Sequence, residues 1–120
     1  MGETNRRQIG GRDEELAARF LEERGYRILE RNYRCRSGEI DLIAARDRTL
    51  AFVEVKYRAS GSCGTPEEAV NAAKQRRIYR VAQVYMTAHP EAWERDCRFD
   101  VAAFRADGSL QYYEGAFGEM

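Results

Sequence analysis

The sequence predicts a single α/β domain with elements in the order α-β-β-β-α-β-β. Three observations carry this reading: a helical stripe of apolar residues closed by a glycine, three apolar runs joined by tight turns, and a long amphipathic stretch followed by more strand. With 120 residues and 43% hydrophobic content, the chain can bury one modest core and no more. Residues 1–11 are polar and glycine-bearing, so they are expected to be a flexible lead-in to a domain spanning 12–120.

From Asp13 to Arg24 the apolar residues Ala17, Ala18, Phe20 and Leu21 recur at helical spacing, and Gly25 stands where a left-handed cap closes a helix. Tyr26, Ile28 and Leu29 then lead through Tyr33 to Cys35, with a turn at Ser37-Gly38. Ile40 to Ala45 and Leu50 to Tyr57 follow, separated by a turn around Arg46 to Arg48. Three strands so closely joined should form an antiparallel meander. Ala59 to Gly64 is small and reads as a mobile loop. Thr65-Pro66-Glu67-Glu68 offers a capping threonine, a proline at the first helical position and a glutamate three residues after the cap. The second helix is therefore expected from there to about Thr87, before His89-Pro90. A strand at Arg98 to Phe104, a turn at Asp107-Gly108 and a short strand from Leu110 to Tyr113 complete the chain. The intervening helix is the crossover that a parallel strand pair requires.

Composition excludes several functions. No run approaches the roughly 18 apolar residues of a membrane helix, and the N-terminus has no apolar signal core, so no membrane partner and a cytoplasmic location are expected. The three cysteines, Cys35, Cys63 and Cys97, are odd in number and far apart, which suits neither a disulfide framework nor a thiolate zinc site. With 20 basic and 20 acidic residues, the chain cannot hold a polyanion by bulk charge. Contacts with nucleic acid must come from local clusters: Arg24, Arg27, Arg31, Arg34 and Arg36, then Lys74, Arg76, Arg77 and Arg80. His89 is the single histidine, which excludes paired-histidine zinc hydrolases and serine–histidine triads. Trp93, with Phe99 or Tyr85, reads as a core aromatic ahead of a base-stacking group.

The sharpest chemical signal is Gly38-Glu39-Ile40-Asp41-Leu42-Ile43, followed thirteen positions after Asp41 by Glu54-Val55-Lys56 inside an apolar strand. Residues two apart on a strand share a face, so Glu54 and Lys56 point the same way, and a hairpin can bring Asp41 beside Glu54. Two crowded carboxylates raise each other's pKa unless a cation sits between them. Magnesium or manganese would resolve that conflict, with Asp41, Glu54 and the backbone carbonyl of Val55 as ligands and waters completing the shell. Lys56 could then help deprotonate or orient the nucleophile, or stabilise charge on a phosphate. Alone, Glu-Val-Lys would be an ordinary salt-bridged strand face; Asp41 one strand earlier turns the balance. Glu14 falls on the inward face of the first helix, where a carboxylate needs a partner. Val70, Lys74, Ile78, Val81 and Tyr85 share one stripe, which sets Lys74 either in the site or as a snorkelling stem, and Gln75 could reach the same place.

This ordered set resembles a known family. Glu14 to Leu21, Gly25 to Leu29, Arg31-Asn32-Tyr33-Arg34, Gly38 to Ile43, Phe52 to Lys56, Lys74-Gln75 and Arg98-Phe99-Asp100-Val101 look like the YraN-like uncharacterised bacterial proteins. That family is similar to the archaeal Holliday junction resolvases of the restriction-endonuclease-like PD-(D/E)XK group. The resemblance implies a mixed four- or five-stranded sheet flanked by helices, with Asp41 and Glu54 as metal ligands, Lys56 as catalytic lysine and Glu14 as the helix-borne acid. Lys74 or Gln75 would match a later helix residue. Two positions depart from the family pattern: Asp13 replaces a usual glycine and Cys63 a usual aromatic. The function expected is a Mg²⁺- or Mn²⁺-dependent endonuclease acting on branched or structured DNA. Arg34, Arg36, Arg58, Lys74 and Arg77 are the expected phosphate contacts, and a homodimer would set two sites on opposite strands. The alternative is a nuclease scaffold without activity that binds DNA or protein.

Overall fold

The computed structural model describes the backbone of residues 2–57 and 70–118, and the side chains of 12–57 and 70–118. Helix α1 (Gly2–Glu23) leads into strands β1 (Arg27–Cys35), β2 (Gly38–Arg46) and β3 (Thr49–Tyr57). Helix α2 (Ala72–Ala88) and a 3-10 turn (Pro90–Glu94) follow, then β4 (Asp96–Phe104) and β5 (Leu110–Phe117). The five strands form one mixed sheet in the order β1-β2-β3-β4-β5. All neighbours are antiparallel except β3 and β4, which α2 joins in parallel. The α/β class, the element order and the mixed sheet thus agree with the sequence. Among the described residues no helix is long and apolar enough to cross a membrane.

The two helices cover opposite faces of the sheet. On one side Ala17, Ala18 and Leu21 of α1 pack on Leu42, Ala44, Ala51, Val53, Ala102 and Phe104. On the other, Ile78, Val81, Ala82 and Tyr85 of α2 pack on Ile40, Ile43, Phe52, Phe99 and Val101. The strand alternation of Leu50, Ala51, Phe52 and Val53 between these layers is what lets one strand serve both. Gly25, at φ +88°, closes α1 as expected: its N–H donates to Glu22 O and that of Tyr26 to Leu21 O, each at 3.0 Å.

Four expectations need correction. Helix α1 starts at Gly2 rather than Asp13; no proline there stops it. Helix α2 does not run through from Thr65: Asn71 is extended (φ −70°, ψ 168°) and caps a start at Ala72, its side chain accepting from Lys74 N. The Thr65 cap, the 59–64 loop, Arg58 and Cys63 lie outside the described residues. Strand β5 continues past Tyr113 to Phe117 because a bulge at Gly115 (φ +59°) returns Ala116 and Phe117 to the core. Trp93 is no core aromatic: it is 69% exposed, its indole N–H donating to Met86 O at 2.8 Å. Phe99 and Tyr85 are buried, and His89 stacks on Tyr85.

Candidate functional site

A break in the sheet builds the site. Ile40 and Leu42, two apart on β2, pack into opposite layers, so the alternation slips at Asp41. Ladder pairing of β2 with β3 ends at Leu42↔Val53, one step before Asp41 would meet Glu54. Beyond that point the Asp41 carboxylate substitutes for the missing rung: its Oδ2 accepts the Val55 N–H at 2.8 Å. Strand β1 is irregular alongside. It bulges between Ile28 and Glu30, and Asn32, between the pairs Arg31↔Leu42 and Tyr33↔Ile40, adopts φ +51°. Left-handed backbone inside a strand is uncommon for a residue with a Cβ, though asparagine tolerates it better than most.

Four charged side chains from three elements meet where the strands part. Glu54 is 5% exposed and its Oε2 is ion-paired with the Lys74 ammonium from the first turn of α2. Lys56 shares the Glu54 face of β3. Burial raises the Asp41 carboxyl to about 8, and the charge of Glu54 and, more weakly, of Glu14 adds to it against the bond from Val55 N–H. Burial lowers the Lys56 ammonium, helped by the charge of Lys74 and opposed by Glu54 and Asp41. For Lys74 burial acts downward, but the bond to Glu54 and its charge outweigh it and raise the ammonium. Glu14 reaches the edge of this group from α1, and the Asn32 amide donates to its Oε1 at 3.0 Å.

The donor chemistry fits a divalent cation. Asp41 and Glu54 crowd each other in a poorly hydrated place, the conflict a cation removes, and Val55 offers a carbonyl on the same strand. Among the described residues no third histidine, cysteine or acid joins to form a three-ligand cluster, so water would complete the shell, as magnesium accepts.

The other candidates are placed unevenly. Gln75 turns to the backbone, its amide donating to Val70 O at 2.8 Å, and is not brought to the carboxylates. Arg34 is paired with Glu39 at 3.0 Å. Arg36 and Arg77 are exposed, and they flank one junction: a Cβ on Gly38 would lie 3.5 Å from Val81 and 3.9 Å from Arg77, so the β1–β2 turn abuts α2. Asp13 is buried, and that burial raises its carboxyl against the pull of Arg12. Asp100, the acid of Arg98-Phe99-Asp100-Val101, is fully buried on the α1 side and satisfied by Arg98, Tyr112 and the N–H of Gly115. It serves the fold. Asn32 enters the sequence reading only within Arg31-Asn32-Tyr33-Arg34, where its one signal is asparagine's tolerance of left-handed backbone in a stretch that reads as strand.

The match to known proteins spans most of the chain. The family described as Uncharacterised protein family UPF0102 matches residues 13–104, which include Glu14, Asn32, Asp41, Glu54, Lys56 and Lys74. A UPF0102 protein of Chlorobium phaeobacteroides is 54% identical over 98 residues, covering 82% of this chain and 77% of its own. That of Moorella thermoacetica is 44% identical over 117 residues, 93% of this chain and 97% of its own. That of Symbiobacterium thermophilum is 54% identical over 107 residues, 88% and 90% of the two chains. A chain matched at this identity, over this span and through the whole acidic and basic cluster, belongs to the UPF0102 family.

Proposed function

We propose that this protein is a metal-dependent endonuclease of the restriction-endonuclease-like kind that hydrolyses phosphodiesters in branched or otherwise structured DNA. The observation that supports this best is the break between β2 and β3, where Asp41 and the buried Glu54 crowd each other with Lys56 on the Glu54 face. A structural ion pair would not need a second acid held against the first.

A bound magnesium or manganese ion would supply Lewis-acid polarisation of the phosphate and a more acidic water. Asp41 and Glu54, with the Val55 carbonyl, are the groups that would hold it. Asp41 is kept in place by the Val55 N–H. The ammonium of Lys56, lowered by burial and by Lys74, is suited to orient an attacking water and to stabilise charge growing on a phosphate oxygen. Glu14, fixed by Asn32, adds negative charge at the rim and can accept a hydrogen bond from the attacking water. Arg36 and Arg77, flanking one junction, suit two phosphates of the same backbone.

One observation favours a second reading, a scaffold that binds without cutting: Lys74 already neutralises Glu54. Incubating the protein with four-way junction, nicked, single-stranded and duplex DNA, and with RNA, in magnesium and in manganese decides between them. Cleavage of at least one DNA structure is expected, falling by about 10²–10³-fold in Lys56→Met, the usual loss for one charge-stabilising group. Binding to the same DNA in calcium should change by at most one phosphate contact. Uncut DNA of every kind in both metals would leave the scaffold reading, and full activity in Lys56→Met would remove that lysine from the chemistry.

A further inference from the structure

The pairing of Lys74 with Glu54 differs from the other ion pairs of the described residues. Those either lie on the surface or belong to the Asp100 network, whereas Glu54 is nearly enclosed, at 5% exposure, and the Lys74 side chain keeps 34% of its surface in solvent. The backbone of Lys74 is tied down, its N–H donating to Asn71 Oδ1 at 2.9 Å, so the stem is anchored while its four-carbon length lets the ammonium move. Its partner is strand-borne and packed. Of the two, only Lys74 can leave.

From this geometry we infer that Lys74 is the resident counter-ion of the site, competing with a divalent cation for Glu54, and that cation binding sends its ammonium outward to take a phosphate. The inference rests on the metal-site reading of Asp41 and Glu54. A buried carboxylate that stays ionised needs a cation beside it, and an ammonium and a divalent ion seek the same oxygens. Lys56 already contributes one positive charge on this face, so a divalent ion beside both ammoniums would overcompensate the two acids. The ammonium that already occupies the Glu54 carboxylate, and whose side chain reaches solvent, is the one displaced. Once outside, it meets the side from which a phosphodiester would approach, so metal and DNA would each favour the other's binding, as linkage requires.

Magnesium titration calorimetry without DNA, on wild type, Lys74→Met, Lys74→Arg and Lys56→Met at one pH and ionic strength, tests the exchange. Lys74→Met should bind magnesium about tenfold more tightly than wild type, a gain consistent with removing one unit charge a few ångströms away. Lys74→Arg keeps the charge and adds a planar fork for the carboxylate, so it should bind magnesium more weakly than wild type. Lys56→Met should gain clearly less than Lys74→Met. Equal gains in the two methionine variants, or no loss in Lys74→Arg, would reduce the effect to general charge and overturn the exchange while leaving the metal site standing. No magnesium or manganese binding in any form would remove both. If melting shows that Lys74→Met is unfolded, Lys74→Gln, which retains a hydrogen-bond donor for Glu54, must show the same direction of change.

Discussion

Asp41 carries the strongest consequence at the scale of single residues. Its carboxyl lies at about 8, raised by burial and by Glu54, against roughly 3.9 for the unfolded chain. An acid raised in the folded state gives its full contribution to stability while both states are protonated. That contribution is lost as pH climbs from the unfolded value through the folded one. Metal-free protein should therefore lose stability steadily from about pH 4 to about pH 8. Asp41→Asn keeps an oxygen for the Val55 N–H without the charge, so its melting temperature should fall less with pH over that range and exceed that of the wild type at pH 8.5. Calorimetric melting of both proteins without metal checks this; a wild-type curve as flat as the variant's would mean that Asp41 is ionised and comfortable. The sequence made Asp41 and Glu54 legible as a pair through their place in apolar runs. It left open whether Lys74 would snorkel, because helical periodicity fixes a face and not the partner at the end of a long side chain.

Strand β4 shows at the scale of the element how an acid in a family motif can be structural. Asp100 accepts from Arg98 Nε and Nη2, from the Tyr112 hydroxyl at 2.6 Å and from Gly115 N–H at 2.9 Å, and Arg98 in turn donates to the Tyr26 hydroxyl at 2.6 Å. This network ties β4 to the bulge of β5 and to the start of β1. Asp100→Ala leaves the half-buried Arg98 guanidinium without its main partner, and such a loss typically costs about 3–5 kcal/mol. Urea unfolding should show a drop of that order; a change under about 1 kcal/mol would mean that water replaces the carboxylate. The element boundaries that differ from the sequence reading have separate causes. Thr65-Pro66 satisfies a capping pattern and predicts an earlier start for α2, while the observed cap, Asn71, is a single residue with no proline or glutamate to advertise it. The sequence predicts strand β5 only to Tyr113, and contact with Phe99 and Tyr79 is what carries it on to Phe117.

For the whole molecule, a formal charge of zero limits how DNA can be held. Arg31 and Arg34 are engaged by Glu15 and Glu39, which leaves a small set of arginines for phosphate. Binding measured in calcium should be weak and salt-dependent, with a log–log slope of about −3 to −4.5 for three to five neutralised phosphates; a slope near zero would point to a protein partner instead. The sequence by itself determined the α/β class, the strand and helix order, the parallel crossover and the candidacy of Asp41, Glu54 and Lys56. These follow from periodicity, turn chemistry and charge in apolar runs, all local along the chain. Tertiary structure alone decided that the β2–β3 ladder ends one pair early, that Asp41 fills the gap, that Asn32 holds Glu14 and that Lys74 rather than Gln75 meets Glu54. Those facts depend on how two helices on opposite faces meet at the parting of two strands, and no spacing within a single element encodes that.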